Sequence, residues 1–347
     1  MRAIGLFKPL PADNPMSLVE LDIPDPKPGP NDLLVRIEAI SVNPADYRMR
    51  NRKADDGTFT VLGWDATGEV VGMGADVPGF ALGDAVYYAG DLSRPGANSE
   101  LHLVDSAIVA RRPVSLSASD AVSLPLTALT AWEILFERFG LCPGLSSGPL
   151  TILIVGGAGG VGSIAIQLAR MVPDLTVIAT ASRPASRAWC ERLGAHAVID
   201  HFADMGAQLA GQGLPRPNLV LLLNNPDRHY PAMANLLEAQ GRICSVVPFD
   251  TAPDLNLLMR KSASFLWEFM FTRPMFSTPD KARQGEILKK VATFVDEGKL
   301  APTASANLGP ITAENLRTAH ARLESGRTLG KLVLSGFPSP TRKENYP

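Results

Sequence analysis

The length, composition and charge of this chain are those of an ordinary globular protein. Its 347 residues suffice for about two domains, and 46% hydrophobic with 20% charged residues excludes a disordered chain. The net charge is −2 and the lysines and arginines are scattered, so the chain lacks the basic footprint of a nucleic-acid-binding protein. No apolar run approaches the ~18 residues of a membrane span.

The N-terminus and the cysteines predict a cytoplasmic protein. The opening sequence MRAIGLFKPL lacks the apolar core and the small-residue cleavage site of a signal peptide. Cys142, Cys190 and Cys244 are far apart and odd in number, which argues against a disulfide framework and fits a reducing compartment.

The first ~125 residues have the pattern of a β-rich domain. Apolar residues at 33, 35, 37 and 39 alternate with Arg36 and Glu38, which predicts a half-buried strand. The proline-rich stretch 24–30 before it must be a surface loop. Further short strands are predicted at 68–73, 84–88 and 100–104. Strands and glycine-rich turns at this spacing are typical of a compact, barrel-like domain.

The sequence TILIVGGAGGVG at 151–162 predicts a strand, a glycine turn and the start of a helix. Gly157, Gly159 and Gly162 supply the G-x-G-x-x-G pattern in that context. Unpaired helix amides and the positive end of the helix dipole would face an anion above the turn. A dinucleotide is therefore the favoured ligand, the alternative being a tight turn in some other α/β unit.

From about residue 124 onward, strands and helices alternate. Helices are predicted at 121–139, 184–193 and 231–237, and strands at 176–180, 197–199, 219–223 and 242–247. These strands have few polar positions, as expected when helices cover both faces of a doubly wound parallel sheet. Beyond residue 265 only helices at 280–297 and 313–325 and a strand at 331–334 remain. This remnant is too small for a domain, so we expect residues 1–124, 125–265 and 266–347 to form an N-terminal domain, a nucleotide domain and a return to the first.

Five motifs carry a resemblance that spans nearly the whole chain. They are SVNPAD at 41–46, GWDATGE at 63–69, PLTALTAW at 125–132, the glycine turn, and GKLV at 330–333. In this order and spacing they resemble the medium-chain dehydrogenase/reductase superfamily, and most closely its zinc-independent quinone oxidoreductase branch. The resemblance implies an α/β fold with a Rossmann doubly wound parallel sheet plus a GroES-like β-rich catalytic domain.

The same resemblance argues against a catalytic zinc. Zinc alcohol dehydrogenases of this superfamily have a Cys at the position of Asn43 and a His at that of Trp64, and neither replacement is a plausible ligand. The clustered cysteines of their structural zinc lobe are also missing. The histidines have no partner at ligand spacing and are expected on the surface or satisfied in the core; they are His102, His196, His201, His229 and His320. No metal is predicted.

The stretch 180–187 favours NADP(H) over NAD. An NAD enzyme usually has an acid there for the ribose 2′-hydroxyl, and this stretch, TASRPASR, has none. Ser182 and Arg183 could bind a 2′-phosphate, with Arg187 one turn later. The alternative is that they are solvated residues at a helix entry. The predicted cofactor-binding residues of the turn are Gly157, Gly159, Gly160, Val161 and Gly162.

The resemblance places Asn43 and Thr127 near the nicotinamide, whose carboxamide would bind the backbone of the loop at Val246 and Val247. From the residues alone, Asn43 could equally be a turn former and Thr127 a buried helix residue. Tyr47, Arg48 and Arg50 are expected in one loop after Asn43. The predicted catalytic residues are Tyr47 and Asn43, although Tyr47 could equally be an amphipathic residue at the rim of the site. The predicted substrate contacts are Tyr47, Arg48, Trp64, Phe271 and Arg273.

The aromatic segment 265–276 is predicted to begin with the last strand of the nucleotide domain. By resemblance this strand pairs with its copy in a homodimer, which would cover an apolar edge. Phe271 and Arg273 would then face cofactor or substrate. A core strand followed by a turn is the alternative.

Together these features predict an NADPH-dependent, metal-free reductase of quinones, enones or related small carbonyl electrophiles, because the cofactor supplies the hydride and the protein the orientation. An enoyl-thioester reductase of the same superfamily is one alternative. A non-catalytic NADPH sensor or binding protein is another, since no undisputed general acid is present. A zinc alcohol dehydrogenase is a third.

Overall fold

The computed structural model describes residues 1–338. They form two compact units, one made of Met1–Leu126 together with the described residues from Phe271 onward, the other of Thr127–Met270. Among the described residues, none of the helices has the length and apolar character that crossing a bilayer would require.

Short antiparallel strands dominate residues 1–126. The elements are β1 (Arg2–Leu6), β2 (Val19–Asp22), β3 (Asp32–Val42), α1 (Pro44–Arg52), β4 (Thr60–Val61), β5 (Ala66–Met73), β6 (Ala85–Tyr88), β7 (Leu101–Asp105), β8 (Ala110–Arg111) and α2 (Ala118–Ala121). The predicted alternation appears in β3, where Val35 and Ile37 are buried while Arg36 and Glu38 are exposed.

Residues 127–270 contain a parallel sheet with helices between its strands. The elements are α3 (Pro125–Trp132), which runs on into a π-helical turn (Glu133–Arg138), β9 (Leu150–Val155), α4 (Gly160–Ala169), β10 (Leu175–Thr180), α5 (Pro184–Arg192), β11 (Ala197–Ile199), α6 (Met205–Gly211), β12 (Leu219–Leu222), α7 (Pro226–Leu236), β13 (Arg242–Ser245), α8 (Asn256–Met259) and β14 (Ser264–Trp267). The strand order is β11-β10-β9-β12-β13-β14, so the order reverses beside β9. This is the doubly wound order whose ligands bind at the switch point.

The chain then returns to the first unit. The elements are α9 (Thr272–Met275), α10 (Arg283–Asp296), β15 (Ala304–Asn307), α11 (Ala313–Glu324) and β16 (Lys331–Ser335). β16 pairs antiparallel with β3, with Leu332 opposite Val42. The larger sheet of this unit runs β15-β16-β3-β5-β6-β8, with β7 also on β3, and the smaller runs β2-β1-β4. The predicted α/β fold class, a Rossmann sheet plus a GroES-like β-rich domain, is confirmed.

Two local predictions that concern predicted site residues are wrong. Tyr47, Arg48 and Arg50 lie in helix α1 rather than in a loop, because Pro44 starts the helix and the Asp46 carboxylate accepts a hydrogen bond from the Asn43 amide. The strand predicted at 242–247 ends at Ser245. The hydroxyl of Ser245 donates to the carbonyl of Val247 at 2.8 Å, which turns the chain there.

Candidate active site

The glycine turn lies at the carboxyl end of β9, where the strand order reverses. A Cβ on Gly162 would lie 2.4 Å from the Gly156 carbonyl oxygen, and one on Gly157 would lie 2.7 Å from the Ala179 Cβ. Gly159 is different, since its Cβ would meet only the Gly156 oxygen, at 3.5 Å. Two glycines therefore close the turn, and the third leaves space above the helix N-terminus.

Hydrogen bonds fasten this turn to the end of β10. The Gly156 amide donates to the Thr180 hydroxyl at 3.0 Å, and the Gly157 amide donates to the Thr180 carbonyl at 3.3 Å. Ser182 and Arg183 follow directly, the first half-buried and the second exposed. The structure thus brings the glycine turn and these two residues together at one edge of the sheet.

Arg187 lies at the same edge but is partly engaged. Its guanidinium donates to the carbonyls of Val198 at 2.7 Å and Ala181 at 3.4 Å. These bonds leave it fewer donors for a phosphate than an exposed arginine has. Its role in binding a 2′-phosphate stays a prediction.

Val246 and Val247 lie in the loop after β13, and their contact with the carboxamide stays a prediction. The Val246 amide donates to the Leu222 carbonyl at 3.3 Å. The Ser245 hydroxyl accepts from the Val247 amide at 3.3 Å and donates to its carbonyl at 2.8 Å. One serine side chain therefore sets the backbone of this loop.

Asn43 belongs to a buried polar cluster in the first unit and is only 1% exposed. Its amide nitrogen donates to the Trp64 carbonyl at 2.9 Å and to the Asp65 carboxylate at 2.8 Å, and its amide oxygen accepts from the Lys331 ammonium. Both donors and the acceptor of the amide are engaged inside the protein. The catalytic and cofactor-binding roles of Asn43 stay predictions.

Asp65 and Lys331 form the centre of this cluster. One Asp65 oxygen accepts from Lys331 at 2.9 Å, from Asn43, and from the Ser41 hydroxyl at 2.8 Å; the other accepts from the Leu126 amide at 2.7 Å. Lys331 also donates to the Val42 carbonyl at 3.2 Å. All three ammonium protons are thus used, and the carboxylate accepts four hydrogen bonds, three at one oxygen and one at the other.

Asp46 is the exception in the cluster. One of its oxygens accepts from the Asn43 amide, but the other is buried and has no hydrogen-bond partner among the described residues. Burial raises the pKa of Asp46 to about 7, against the opposing effect of the Asn43 amide and the Lys331 charge. The nearby Asp65 carboxylate raises the pKa further.

The other predicted substrate and cofactor residues differ in accessibility. Tyr47 and Arg48 are half-buried on α1, with the Arg48 guanidinium 6.0 Å from the centre of the Tyr47 ring. Trp64 is only 3% exposed, and its indole nitrogen donates to the Asp91 carbonyl at 3.2 Å. Thr127 is buried within α3. These positions leave Tyr47 and Arg48 the more accessible candidates of the first unit.

Phe271 and Arg273 have internal partners in the first unit. The Phe271 ring packs edge-on against Trp64, with the ring centres 6.4 Å apart. The Arg273 guanidinium pairs with the Asp280 carboxylate at 3.0 Å. Their predicted contact with substrate stays a prediction.

Asn43 and Trp64, at the positions where zinc alcohol dehydrogenases have a Cys and a His, do not fit a zinc ion. The Asn43 amide is fully hydrogen-bonded, and the Trp64 indole offers only a donor, which is already used. Among residues 1–338, no three His, Cys, Asp or Glu side chains come close enough together to hold a metal. His102 illustrates a core histidine, lying between the Tyr88 hydroxyl at 2.9 Å and the Pro95 carbonyl at 3.0 Å, and burial lowers its pKa to about 4.

Sequence reasoning missed the roles of Asp65, Lys331 and Asp46, although all three lie in or beside the quoted motifs. A signal was present for Lys331, since it opens the apolar strand Lys331–Ser335. A lysine there must find buried partners. Which partners it finds depends on the pairing of β16 with β3, and the motif itself does not contain that information.

Two family models and several relatives match this chain. Residues 29–106 match the family model of the alcohol dehydrogenase GroES-like domain, and residues 193–334 match that of zinc-binding dehydrogenases. A zinc-type alcohol dehydrogenase-like protein of Staphylococcus aureus (strain MSSA476) is 40% identical over 337 residues, covering 96% of this chain and all of the relative. The 2-methylene-furan-3-one reductase of Solanum lycopersicum is 29% identical, covering 91% of this chain and 74% of the relative.

Two solved structures share the fold. A crystal structure described as a putative zinc-dependent alcohol dehydrogenase of Rhizobium etli is 46% identical with a TM-score of 0.91, covering 98% of this chain and 99% of that one. The quinone oxidoreductase of Coxiella burnetii is 29% identical with a TM-score of 0.80, covering 96% of this chain and 99% of that one.

Proposed function

The chain belongs to the medium-chain dehydrogenase/reductase superfamily, in its quinone oxidoreductase-like branch, and from that premise we propose that it is an NADPH-dependent, metal-free reductase. It is an oxidoreductase of this superfamily. Its proposed substrates are quinones, enones or related small carbonyl electrophiles. The names of the Coxiella and tomato relatives support this substrate class.

The sheet edge at β9 and β10 carries the proposal. The turn is open above Gly159 at the N-terminus of α4, where a pyrophosphate would bind the helix amides. Ser182 and Arg183 follow β10 at the place where an NAD enzyme has its carboxylate. A hydroxyl and a guanidinium there favour the extra phosphate of NADPH over the bare ribose of NADH.

When bound, NADPH supplies the hydride, and the chain's own residues bind and orient it. The Gly160, Val161 and Gly162 amides would hold the pyrophosphate, and the loop at Val246 and Val247 would receive the carboxamide. Tyr47 is the proposed donor to the substrate oxygen, because its hydroxyl is on a half-buried, accessible side chain. Tyr47→Phe is then expected to lower kcat by about 10-fold. An unchanged kcat would leave Tyr47 only a packing role.

The proposal is tested by following NADPH oxidation at 340 nm with a quinone, an enone and an aldehyde in parallel. Each acceptor is assayed with and without a metal chelator, and the purified protein is analysed for zinc. Turnover of the quinone or enone that the chelator does not change is the expected result. Zinc at one equivalent per chain with chelator-sensitive turnover would instead point to a zinc alcohol dehydrogenase. Tight NADPH binding with no turnover would favour a sensor.

Cofactor choice is tested separately with the double variant Ser182→Asp/Arg183→Ala. We expect the KM for NADPH to rise far more than the KM for NADH, because the variant removes the cation and adds a carboxylate suited to the 2′-hydroxyl. Arg192 is exposed at the end of α5, the helix that follows Arg183. Arg192→Ala is therefore a matched control for the loss of a surface cation. An unchanged preference in the double variant would place the 2′-phosphate elsewhere.

A further inference from the structure

Two consecutive residues, Trp64 and Asp65, contact the two points where the chain leaves and re-enters the first unit. Leu126 is the last residue before the chain leaves, and Phe271 is the first after it returns. An Asp65 oxygen accepts from the Leu126 amide at 2.7 Å. The Trp64 ring packs edge-on against Phe271.

The Asp65 carboxylate has little freedom to move. Ser41, Asn43 and Lys331 converge on one oxygen, which leaves the other directed at Leu126. The side chain of Asp65 is fully buried, and that of Lys331 is 3% exposed. Buried ionic hydrogen bonds are strong, and breaking one leaves a costly unpaired group. The contact with Leu126 is therefore rigid.

We infer that Asp65, held in place by Lys331, is a positioning residue for the proposed reaction. It fixes the Leu126 amide in the first turn of α3 and thereby the next residue, Thr127. This inference rests on the proposed function, in which Thr127 lies near the nicotinamide. The proposed role of Asp65 is indirect, through the backbone of Leu126.

The substitution Asp65→Asn tests the contact selectively. Three donors face one oxygen of Asp65, so the new amide oxygen will occupy that side, and its NH₂ group will face the Leu126 amide. The hydrogen bond to Leu126 is then lost while the side-chain volume is kept. We expect the Kd for NADPH or the kcat of quinone reduction to worsen by about 10-fold, as small misplacements of positioning groups do.

Ser41→Ala is the matched control. It removes one hydrogen bond from the same carboxylate but leaves the oxygen that holds Leu126 untouched. Its Kd and kcat should stay within about twofold of wild type on this argument. Asp65→Asn could fail to fold because Lys331 loses its counter-charge. In that case the double variant Asp65→Asn/Lys331→Met, which removes both charges, is measured instead of the single variant.

A double-mutant cycle with Thr127→Val separates positioning from general loosening. If Asp65 acts through Thr127, adding Asp65→Asn to Thr127→Val should cost little further activity or affinity. Additive losses in the cycle, or an Asp65→Asn protein that binds and turns over like Ser41→Ala, would overturn the inference. A wild-type protein that binds no NADPH would remove the proposed function, and the inference with it.

Discussion

At the scale of single residues, two neighbouring carboxylates illustrate how surroundings decide chemistry. Asp65 accepts four hydrogen bonds, three at one oxygen and one at the other, and one of them comes from Lys331. Asp46, in the same cluster, keeps one buried oxygen without a partner, and its pKa is raised to about 7. Desolvation disfavours the charged form wherever donors do not compensate it.

Asp46 should therefore make stability depend on pH. Its usual pKa is 3.8, so between about pH 4 and 7 the folded protein holds a proton that the unfolded chain has released. The unfolded state binds fewer protons, so the free energy of unfolding falls as pH rises through this window and levels off above pH 7. Asp46→Asn stays neutral, and its stability relative to wild type should rise from pH 4 to 7.

Urea unfolding of both proteins at several pH values measures this difference. Asp13 is exposed, and Asp13→Asn is the control. The difference between its free energy of unfolding and that of the wild type should vary little over the same pH range. A difference for Asp46→Asn that is equally flat with pH would show that Asp46 is ionised in the folded protein.

At the scale of elements, the strand–turn–helix unit of β9 and α4 explains why three glycines are not equivalent. Gly162 and Gly157 are required by the fold itself, because a Cβ would meet backbone or a buried methyl group. Gly159 has φ −76°, which any residue adopts, and open space beside it. The fold therefore does not require a glycine here, and we attribute the small size of Gly159 to the proposed cofactor.

Gly159→Ala and Gly162→Ala should consequently fail in different ways. Gly159→Ala is expected to keep the melting temperature within a few degrees of wild type and to weaken NADPH binding by about 10-fold or more, because the methyl group would occupy the place of the pyrophosphate. Gly162→Ala is expected to lower the melting temperature clearly, because its methyl group lies 2.4 Å from a carbonyl oxygen.

Thermal unfolding and NADPH titration of the two variants check this pair. Unweakened binding by a folded Gly159→Ala protein would argue that the phosphates lie away from this turn. A Gly162→Ala protein as stable as wild type would show that the turn relaxes around the new methyl group.

At the scale of the whole molecule, the apolar edge strand β14 predicts a homodimer. β14 is the last strand of its sheet, and Trp267 and Phe269 are 50% and 47% exposed. An apolar edge with unpaired backbone groups is suited to pairing with a second copy of the same strand. The dimer remains a prediction that only solution measurements test.

Light scattering coupled to size-exclusion chromatography should therefore find two chains per particle in the wild type. Trp267→Glu is expected to shift the mass towards one chain, since a charge would be buried at the interface. Leu145→Glu, at a residue of the same unit that is also exposed, is the control and should remain dimeric. A wild-type protein with the mass of one chain would contradict the dimer, and equal behaviour of both variants would locate the interface elsewhere.

Much of the fold was predictable because its signals are local. The strand at 197–199 was predicted with the observed bounds. The helix predicted at 184–193 ends one residue earlier in the structure, at Arg192. The helix predicted at 231–237 begins at Pro226, five residues earlier, with Pro231 inside it. Proline is a helix-start signal, so a second proline within the same helix misleads a sequence-based boundary.

The sequence by itself determined the two-part architecture and the glycine turn, because periodicity and glycine positions act over a few neighbouring residues. Only the tertiary structure decided what Asn43, Asp65 and Lys331 do. Lys331 lies 266 residues from Asp65 along the chain and meets it because β16 pairs with β3. Sheet pairing over such distances depends on the packing of the whole unit, and this packing joins Asn43 to Asp65 and Lys331 in one buried polar cluster.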